Sequence, residues 1–182
     1  MKKYKFVPVS IKYYTMAKKS KVYSVTDSST PLALEEAALA SDYSSLYVLM
    51  GSSKKPESQM SPYEKMYVVR EGISKKDLES FKDKAGLDYT MLAKALSVTR
   101  ATLINKKRSE KFGPGLSEKI IGLADLYSYG FEVFDDQDHF NKWMIRPNKA
   151  LGGDVPFDII DNQFGREEVK NIIGRIAYGV YS

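Results

Sequence analysis

The stretch 87–108, LDYTMLAKALSVTRATLINKKR, constrains the fold most, because its pattern fits two short helices joined by a tight turn. Leu92 and Leu96 lie four residues apart and so share one helix face. Ser97 falls at the turn, where a glycine would tolerate a positive φ more easily. Thr99 is well placed to N-cap the second helix. This spacing is typical of a helix-turn-helix, although an ordinary helical hairpin with a basic, solvated second helix fits the same residues.

The second helix is predicted to run over residues 99–108, and its side chains suit base edges and phosphates. Arg or Lys pairs with guanine and Asn with adenine, so Arg100, Asn105 and Lys106 are expected to face bases in the major groove. Lys107 and Arg108 would lie nearer phosphate, and Lys106 falls where many such motifs keep an apolar residue. The candidate DNA-binding residues are therefore Thr99, Arg100, Thr102, Asn105, Lys106, Lys107 and Arg108.

Length and composition limit the class of protein. The 182 residues suffice for one domain or two small ones, and without cysteine there is no disulfide framework and no thiolate metal site. The start, MKKYKFVPVSIKYY, has the lysines of a signal peptide but no continuous apolar core behind them. No run approaches the roughly 20 apolar residues of a membrane span. We therefore expect a cytoplasmic protein with no membrane partner.

The net charge of +5 is distributed unevenly along the chain. Residues 1–26 carry seven lysines and no acid, whereas from residue 131 onward the acids outnumber Lys plus Arg by nine to six. This asymmetry suggests a basic part for nucleic acid and another part for a different partner. For the first 26 residues alone, a solvated lysine-rich segment is the favoured interpretation.

The motifs of the common enzyme and metal classes are missing. His139, the only histidine, has no nearby nucleophile or second ligand in the sequence. The GPG turn at 113–115 lacks the Lys-Ser/Thr pair of a phosphate-binding loop. The aspartates within 135–138 lack the glycine and the closing glutamate of a calcium loop. We therefore expect no catalytic residue, no metal site, no cofactor and no enzyme activity.

The helix signals predict an all-α fold with a small N-terminal appendage that is partly β. Ser61 with Glu64 fits a capping box, the stretch from Ser74 to Asp77 opens a further helix, and Gly86 would stop that helix. A third helix should follow the acidic corner after Phe134. Two apolar stripes mark longer helices: Leu116, Ile120, Ala124, Tyr127 and Phe131 in the first, and Val169, Ile172, Ile173 and Ile176 in the second.

These signals divide the chain into three parts. Residues 1–60 form the appendage: 7–13 and 23–25 fit a short strand pair or an extended arm. A helix is predicted from Thr30 to Met50, either continuous or broken near Ser41. The polar stretch GSSKKPES at 51–58 reads as a linker to the main body. Residues 61–115 would form the helix-turn-helix domain, and residues 116–182 a helical domain for dimerisation and partner binding.

A longer set of motifs follows Phe134. It consists of an acidic pair, then Trp143, then the block RPNKALGG at 146–153, and finally GRIAYGVYS at 174–182. These motifs resemble the toxin-binding region of the Xre/MbcA/ParS antitoxin family. The similarity extends back through the helix-turn-helix to about Gly72.

The resemblance implies an antitoxin of a two-protein toxin–antitoxin operon. The usual partner is a RES-domain toxin that destroys NAD, and the C-terminal end of the antitoxin covers the toxin's active-site cleft. A homodimer that binds operator DNA and represses its own operon is also implied. The toxin-binding candidates are Arg146, Asn148, Leu151, Gly152, Gly153, Arg175, Tyr178, Gly179, Val180, Tyr181 and Ser182. The family tail often has an acidic residue where this chain has Ala177.

The physics of the same residues is compatible with this role. Gly152 and Gly153 permit a sharp turn with positive φ, and an apolar, aromatic tail is unusual because chain ends tend to fray and to be polar. The alternative is a helix-turn-helix transcriptional regulator without a toxin partner, whose C-terminal region only dimerises it.

Overall fold

A computed structural model of the chain describes residues 48–49 and 55–179, and α-helices dominate this part. Short 3₁₀ turns cover Glu57–Gln59 and Lys149–Leu151, and the described ranges contain no β-strand. The all-α prediction is therefore confirmed. The helices are α1 Pro62–Glu71, α2 Lys75–Lys84, α3 Tyr89–Ala95, α4 Arg100–Ile104, α5 Pro114–Phe134, α6 Gln137–Met144, α7 Pro156–Ile159 and α8 Gln163–Ala177.

The predicted N-terminal strands and most of the predicted helix 30–50 lie outside the described residues. At the end of that helix, Val48 and Leu49 form a bend instead. Their backbone N–H groups donate to the carboxylate of Glu57 at 3.0 and 2.8 Å, and so they do not continue a helical ladder. The helix prediction is therefore wrong at these two residues.

The residues just before α1 belong to the packed body. Glu57 is fully buried, and its neighbour Ser58 accepts a hydrogen bond from the Ser128 hydroxyl of α5 at 3.2 Å. A buried carboxylate needs hydrogen-bond donors, which the bend at Val48 and Leu49 supplies. The predicted linker 51–58 is thus packed rather than free at its last two residues.

Local capping chemistry starts the first two helices at the residues where the sequence predicted them to begin. The Ser61 hydroxyl accepts from the Glu64 N–H at 3.3 Å, while the Glu64 carboxylate accepts from the Ser61 N–H at 2.6 Å. The Lys55 ammonium and these Ser61 bonds lower the pKa of Glu64 to about 2. Ser74 and Asp77 form the same box at the start of α2. The capping box predicted at Ser61 and the helix start predicted at Ser74 are both confirmed.

Helix α5 is the central element, and α1, α6 and α8 pack around it. Its predicted stripe is buried at Ile120, Ala124, Tyr127 and Phe131. Tyr127 meets the rings of Phe81, Phe131 and Phe140 edge-on at 5.3 to 6.0 Å. Burial raises the pKa of the Tyr127 phenol. One continuous core thus joins the helix-turn-helix to the C-terminal helices, while the division into domains at residue 115 stays a prediction.

Two glycines of α8 provide a matched test of this packing. A Cβ on Gly165 would overlap the backbone carbonyl of Ile159, whereas a Cβ on Gly174 would meet only the Tyr129 hydroxyl at 3.5 Å. We expect Gly165→Ala to lower the free energy of unfolding by about 1–3 kcal/mol, because a backbone carbonyl cannot move aside cheaply. Gly174→Ala should be neutral or stabilising by up to about 1 kcal/mol, since alanine favours helix. Urea unfolding of both variants measures the difference, and equal stability would contradict the packing.

Candidate functional site

Helices α3 and α4 form the predicted helix-turn-helix. Leu92, Leu96 and Leu103 are fully buried and hold the two helices against the core. Ser97 adopts φ 51° at the turn, which is the left-handed conformation that the sequence required there. Thr99 caps α4, because its hydroxyl accepts from the Thr102 N–H at 3.2 Å. The turn and the cap were both correctly predicted.

The second helix is shorter than predicted, since α4 ends at Ile104 rather than Arg108. The ammonium of Lys75 donates to the carbonyls of Ile104 and Lys106 at 2.6 and 2.9 Å, which satisfies the end of the helix. Beyond it the chain pairs with the start of α2, where the Lys76 N–H donates to the Arg108 carbonyl at 3.0 Å. Residues 106–108 therefore lie in a loop, and the helix prediction is wrong there.

The exposed face of α4 and its exit brings together five of the seven DNA-binding candidates, namely Thr99, Arg100, Thr102, Asn105 and Lys107. Two of the basic candidates contact other side chains of the protein. Lys106 lies over the ring of Phe112 at 5.5 Å, so it covers the core as an apolar residue would at this position. Arg108 pairs with the Glu79 carboxylate at 3.2 Å. Arg100 and Lys107 are therefore the basic side chains of this face with no ion-pair partner among the described residues.

The turn of the motif also contacts the C-terminal part of the chain. The Ser97 hydroxyl donates to the backbone carbonyl of Asp161 at 2.9 Å. Lys94 of α3 pairs with Asp158 of α7 at 2.7 Å. From α5, the Lys119 ammonium donates to the Leu96 carbonyl at 3.1 Å. These contacts place the helix-turn-helix directly beside the segment that follows the RPNKALGG block.

The RPNKALGG block forms a closed loop after α6. The Asn148 side chain accepts from the Ala150 N–H at 2.9 Å, and the Asn148 N–H donates to the Asp154 carbonyl at 3.0 Å. Gly152 and Gly153 have φ values of 68° and 100°, as the predicted sharp turn requires. Arg146 and both glycines are exposed, and Leu151 is half-buried. Hydrogen bonds of Asn148 thus close the loop, which presents its surface outward.

The end of α8 carries the other toxin-binding candidates. Val169, Ile172 and Ile173 of the predicted stripe are buried, and Ile176, one turn further on, is half-buried. Tyr178, which follows the helix, is 85% exposed, and Gly179 adopts φ 69°. Arg175 pairs with Glu168 of its own helix at 3.5 Å. The candidates Val180, Tyr181 and Ser182 lie outside the described residues.

Two exposed apolar side chains near these regions were not among the candidates. Ile145 precedes the RPNKALGG block and Phe164 starts α8; they are 54% and 79% exposed. The helical period could have indicated that Phe164 is exposed, because Phe164 lies five residues before Val169 and therefore off the buried stripe. Ile145 had a weaker signal, its position after the last turn of α6.

Within the described ranges, no helix combines the length and the apolar character needed to cross a membrane. The same residues contain no group of three or more His, Asp or Glu side chains that could hold a metal ion.

The cap of α4 gives a stability test for the helix-turn-helix. Thr99→Ala removes the acceptor for the Thr102 N–H and should lower the free energy of unfolding by about 1 kcal/mol. Thr99→Asp keeps an acceptor at this position and should retain the stability of the unmodified chain. Urea unfolding at neutral pH compares the three proteins. If Thr99→Ala is as stable as the unmodified chain, the cap does not hold α4 in place.

Comparison with known proteins gives both regions a family. The model described as "Antitoxin Xre-like helix-turn-helix domain" matches residues 66–125, and the model described as "Antitoxin Xre/MbcA/ParS C-terminal toxin-binding domain" matches residues 130–179. The two matches, of 60 and 50 residues, together cover more than half of the 182.

Similar curated proteins carry the same designation. The chain is 28% identical over 133 residues to the Prs ADP-ribosylating antitoxin of Sphingobium sp. (strain YBL2), covering 67% of this chain and 83% of that protein. It is 33% identical over 73 residues to antitoxin Xre of Photorhabdus laumondii, covering 40% of this chain and about half, 49%, of that protein. For antitoxin Xre of Yersinia enterocolitica the identity is 25% over 116 residues, covering 63% and 78% of the two chains.

The two matched domains and the curated relatives agree with the geometry described above, in which a helix-turn-helix shares one core with the exposed loop and tail of the C-terminal region. Such a protein acts by binding a toxin and not as an enzyme. The chain belongs to the Xre/MbcA/ParS antitoxin family.

Proposed function

We propose that this antitoxin neutralises a RES-type toxin that consumes NAD, by covering the toxin's active site with the segment 178–182. The observation that carries the proposal is the exposure of Tyr178, which follows a helix whose apolar stripe is already buried. An aromatic side chain with no place in its own core suits a pocket on a partner, because buried aromatic anchors dominate many interfaces. The mechanism is steric, since occupation of the cleft excludes NAD without any chemistry by the antitoxin.

The name of the Sphingobium relative supports a toxin that uses NAD. It refers to ADP-ribosylation, a reaction in which ADP-ribose is transferred from NAD to an acceptor. A toxin that destroys NAD and one that transfers its ADP-ribose both need an open NAD cleft. Covering this cleft would stop either reaction.

The RPNKALGG loop is proposed as the second toxin contact. Its backbone is fixed by Asn148, and Arg146 extends from it as an exposed cation. A preorganised loop loses little conformational entropy when it binds. Arg146 would thus recognise an acidic or polar rim of the cleft, while the tail fills the cleft itself.

The helix-turn-helix is proposed to bind operator DNA and repress the antitoxin's own operon in the cytoplasm, as a homodimer. Arg100 stands at the start of α4, where recognition helices contact base edges. Lys107, in the loop after the helix, is placed for phosphate. The toxin-binding domain at residues 130–179 weighs against the alternative of a regulator without a toxin partner.

The proposed role of Tyr178 in toxin binding can be tested against a matched control variant at Phe164. Tyr178→Ala should weaken toxin binding by about 2 kcal/mol, or roughly 30-fold, if Tyr178 is an anchor in the cleft. Phe164→Ala removes a similarly exposed aromatic side chain at the start of α8, and this variant should bind the toxin as the unmodified chain does. Isothermal titration with purified toxin gives both affinities.

Deletion of residues 178–182 tests the same proposal in cells. The shortened antitoxin should melt at the same temperature as the full chain, because the buried stripe of α8 lies upstream, yet it should fail to rescue growth against the toxin. Rescue by the shortened protein would contradict the proposal. A lowered melting temperature would mean that the tail closes the antitoxin's own core.

The DNA proposal predicts a different effect on DNA binding for each of three basic residues. Arg100→Ala should cost about 1–3 kcal/mol of preference for the operator over other DNA. Lys107→Ala should weaken binding to all DNA alike and reduce the salt slope by about one. Lys106→Ala should change DNA affinity least, because Lys106 lies over Phe112. Fluorescence anisotropy at several salt concentrations distinguishes them, and an unchanged operator preference of Arg100→Ala would exclude Arg100 as a base contact.

A further inference from the structure

Helix α1 presents an unusual exposed face. Tyr63, Met66 and Tyr67 are 80%, 40% and 65% exposed, and they lie three and four residues apart on one side of the helix. Arg70 continues the same row, is exposed, and forms no ion pair with any other residue that the structure describes. Contiguous exposed apolar side chains of this kind mark interaction surfaces. We call these four residues the α1 row.

The α1 row is symmetric about its own midpoint. Its positions are 63, 66, 67 and 70. The two outer positions are equally distant from a point between Met66 and Tyr67, and the two inner positions are also equally distant from it. Two copies of such a row that cross about a two-fold axis at this point are brought into register with each other. Tyr63 then meets Arg70 of the other copy, while Met66 and Tyr67 lie beside the central axis, each next to its own counterpart. This is the condition for a self-complementary interface.

The charge on the row selects the antiparallel arrangement. In an antiparallel pair each Arg70 guanidinium lies against the ring of Tyr63 from the other copy, a favourable cation–π contact that occurs twice. In a parallel pair the two Arg70 side chains would face each other, which is repulsive. The row therefore suits a second copy of itself in only one orientation.

The surface beside the row has the right shape for helix pairing. A groove of about 470 Å³ lies on one side, where Met66 and Val69 face Ile121 and Leu126 of α5. A smaller hollow of about 230 Å³ lies on the other side, bounded by Tyr67 and residues around Gly72. Helices pack by placing the ridge of one into the groove of the next, and α1 is such a ridge between two grooves.

We infer that the antitoxin dimerises through antiparallel pairing of α1 with α1 of a second copy. This inference rests on the proposed homodimer and places its interface outside the segment 116–182 that the sequence suggested. The stoichiometry of the chain and the location of the interface are separate questions, and the experiments below answer them separately.

The lack of cysteine makes cross-linking a clean test. In the antiparallel pair the two Met66 positions are offset by about 1.5 Å along the axis. With helix axes roughly 8–10 Å apart, their Cα atoms come within disulfide range. The two Tyr63 positions are instead about 10 Å apart along the axis. Met66→Cys should therefore form a covalent dimer under mild oxidation, at least about tenfold faster than Tyr63→Cys or the control Ile145→Cys.

Light scattering on the unmodified chain accompanies this test. If the chain is a dimer and Met66→Cys cross-links no faster than Ile145→Cys, the interface lies elsewhere and this inference is wrong, while the proposed homodimer stands. If the chain is a monomer, both fail. Fast cross-linking of Tyr63→Cys as well would mean parallel pairing and would also overturn the inference.

A charge exchange tests the register without thiol chemistry. Tyr63→Arg places two arginines against each other at both ends of the interface and should raise the dimer Kd about tenfold or more. Adding Arg70→Glu to it creates an ion pair at each end and should restore dimerisation. Both positions are exposed, so circular dichroism should show unchanged folding. A double variant that dimerises as weakly as Tyr63→Arg would contradict the antiparallel register.

Discussion

Burial of helix α5 is the interaction on which the other parts of the structure depend. Its 21 residues span the body, and Ile120, Leu123 and Tyr127 are shielded from water by the helices packed around it. Each large apolar side chain buried in this way contributes roughly 1.5–3 kcal/mol. Because the helix-turn-helix and the C-terminal region both pack into this core, neither can be repositioned without exposing apolar surface of the other.

The polar contacts between the helix-turn-helix and the C-terminal region determine how the two regions are aligned, and they contribute little to the free energy of unfolding. Both side chains of the Lys94–Asp158 pair are more than half exposed, so the pair contributes at most about 1 kcal/mol. The hydrogen bond from Ser97 to the Asp161 carbonyl acts at a turn whose backbone is already constrained by its positive φ. The geometry between the candidate DNA face and the candidate toxin loop is therefore set by the shared core and refined by these contacts.

Features that depend on neighbouring residues in the sequence were predictable, and features that depend on distant partners were not. The caps at Ser61 and Thr99 and the helix start at Ser74 depend on local chemistry and were predicted from the residue pattern. The end of α4 depends on Lys75, whose hydrogen bond to Ile104 spans 29 positions and leaves no trace in the pattern of the helix itself. The exposure of the α1 row could not be predicted either. Helical periodicity shows which residues share a face, but not whether another part of the protein covers that face. The toxin-binding candidates came from motif resemblance, and their physical support is the exposure of Arg146 and Tyr178.

In the proposed function, one antitoxin body binds operator DNA through the exposed face of α4 and a toxin through the RPNKALGG loop and the tail, at the same time. Sedimentation velocity of the antitoxin mixed with labelled operator DNA and purified toxin tests it most directly. The account predicts one ternary species that contains all three components, because the two faces use different residues. Release of free DNA in proportion to the added toxin would contradict it.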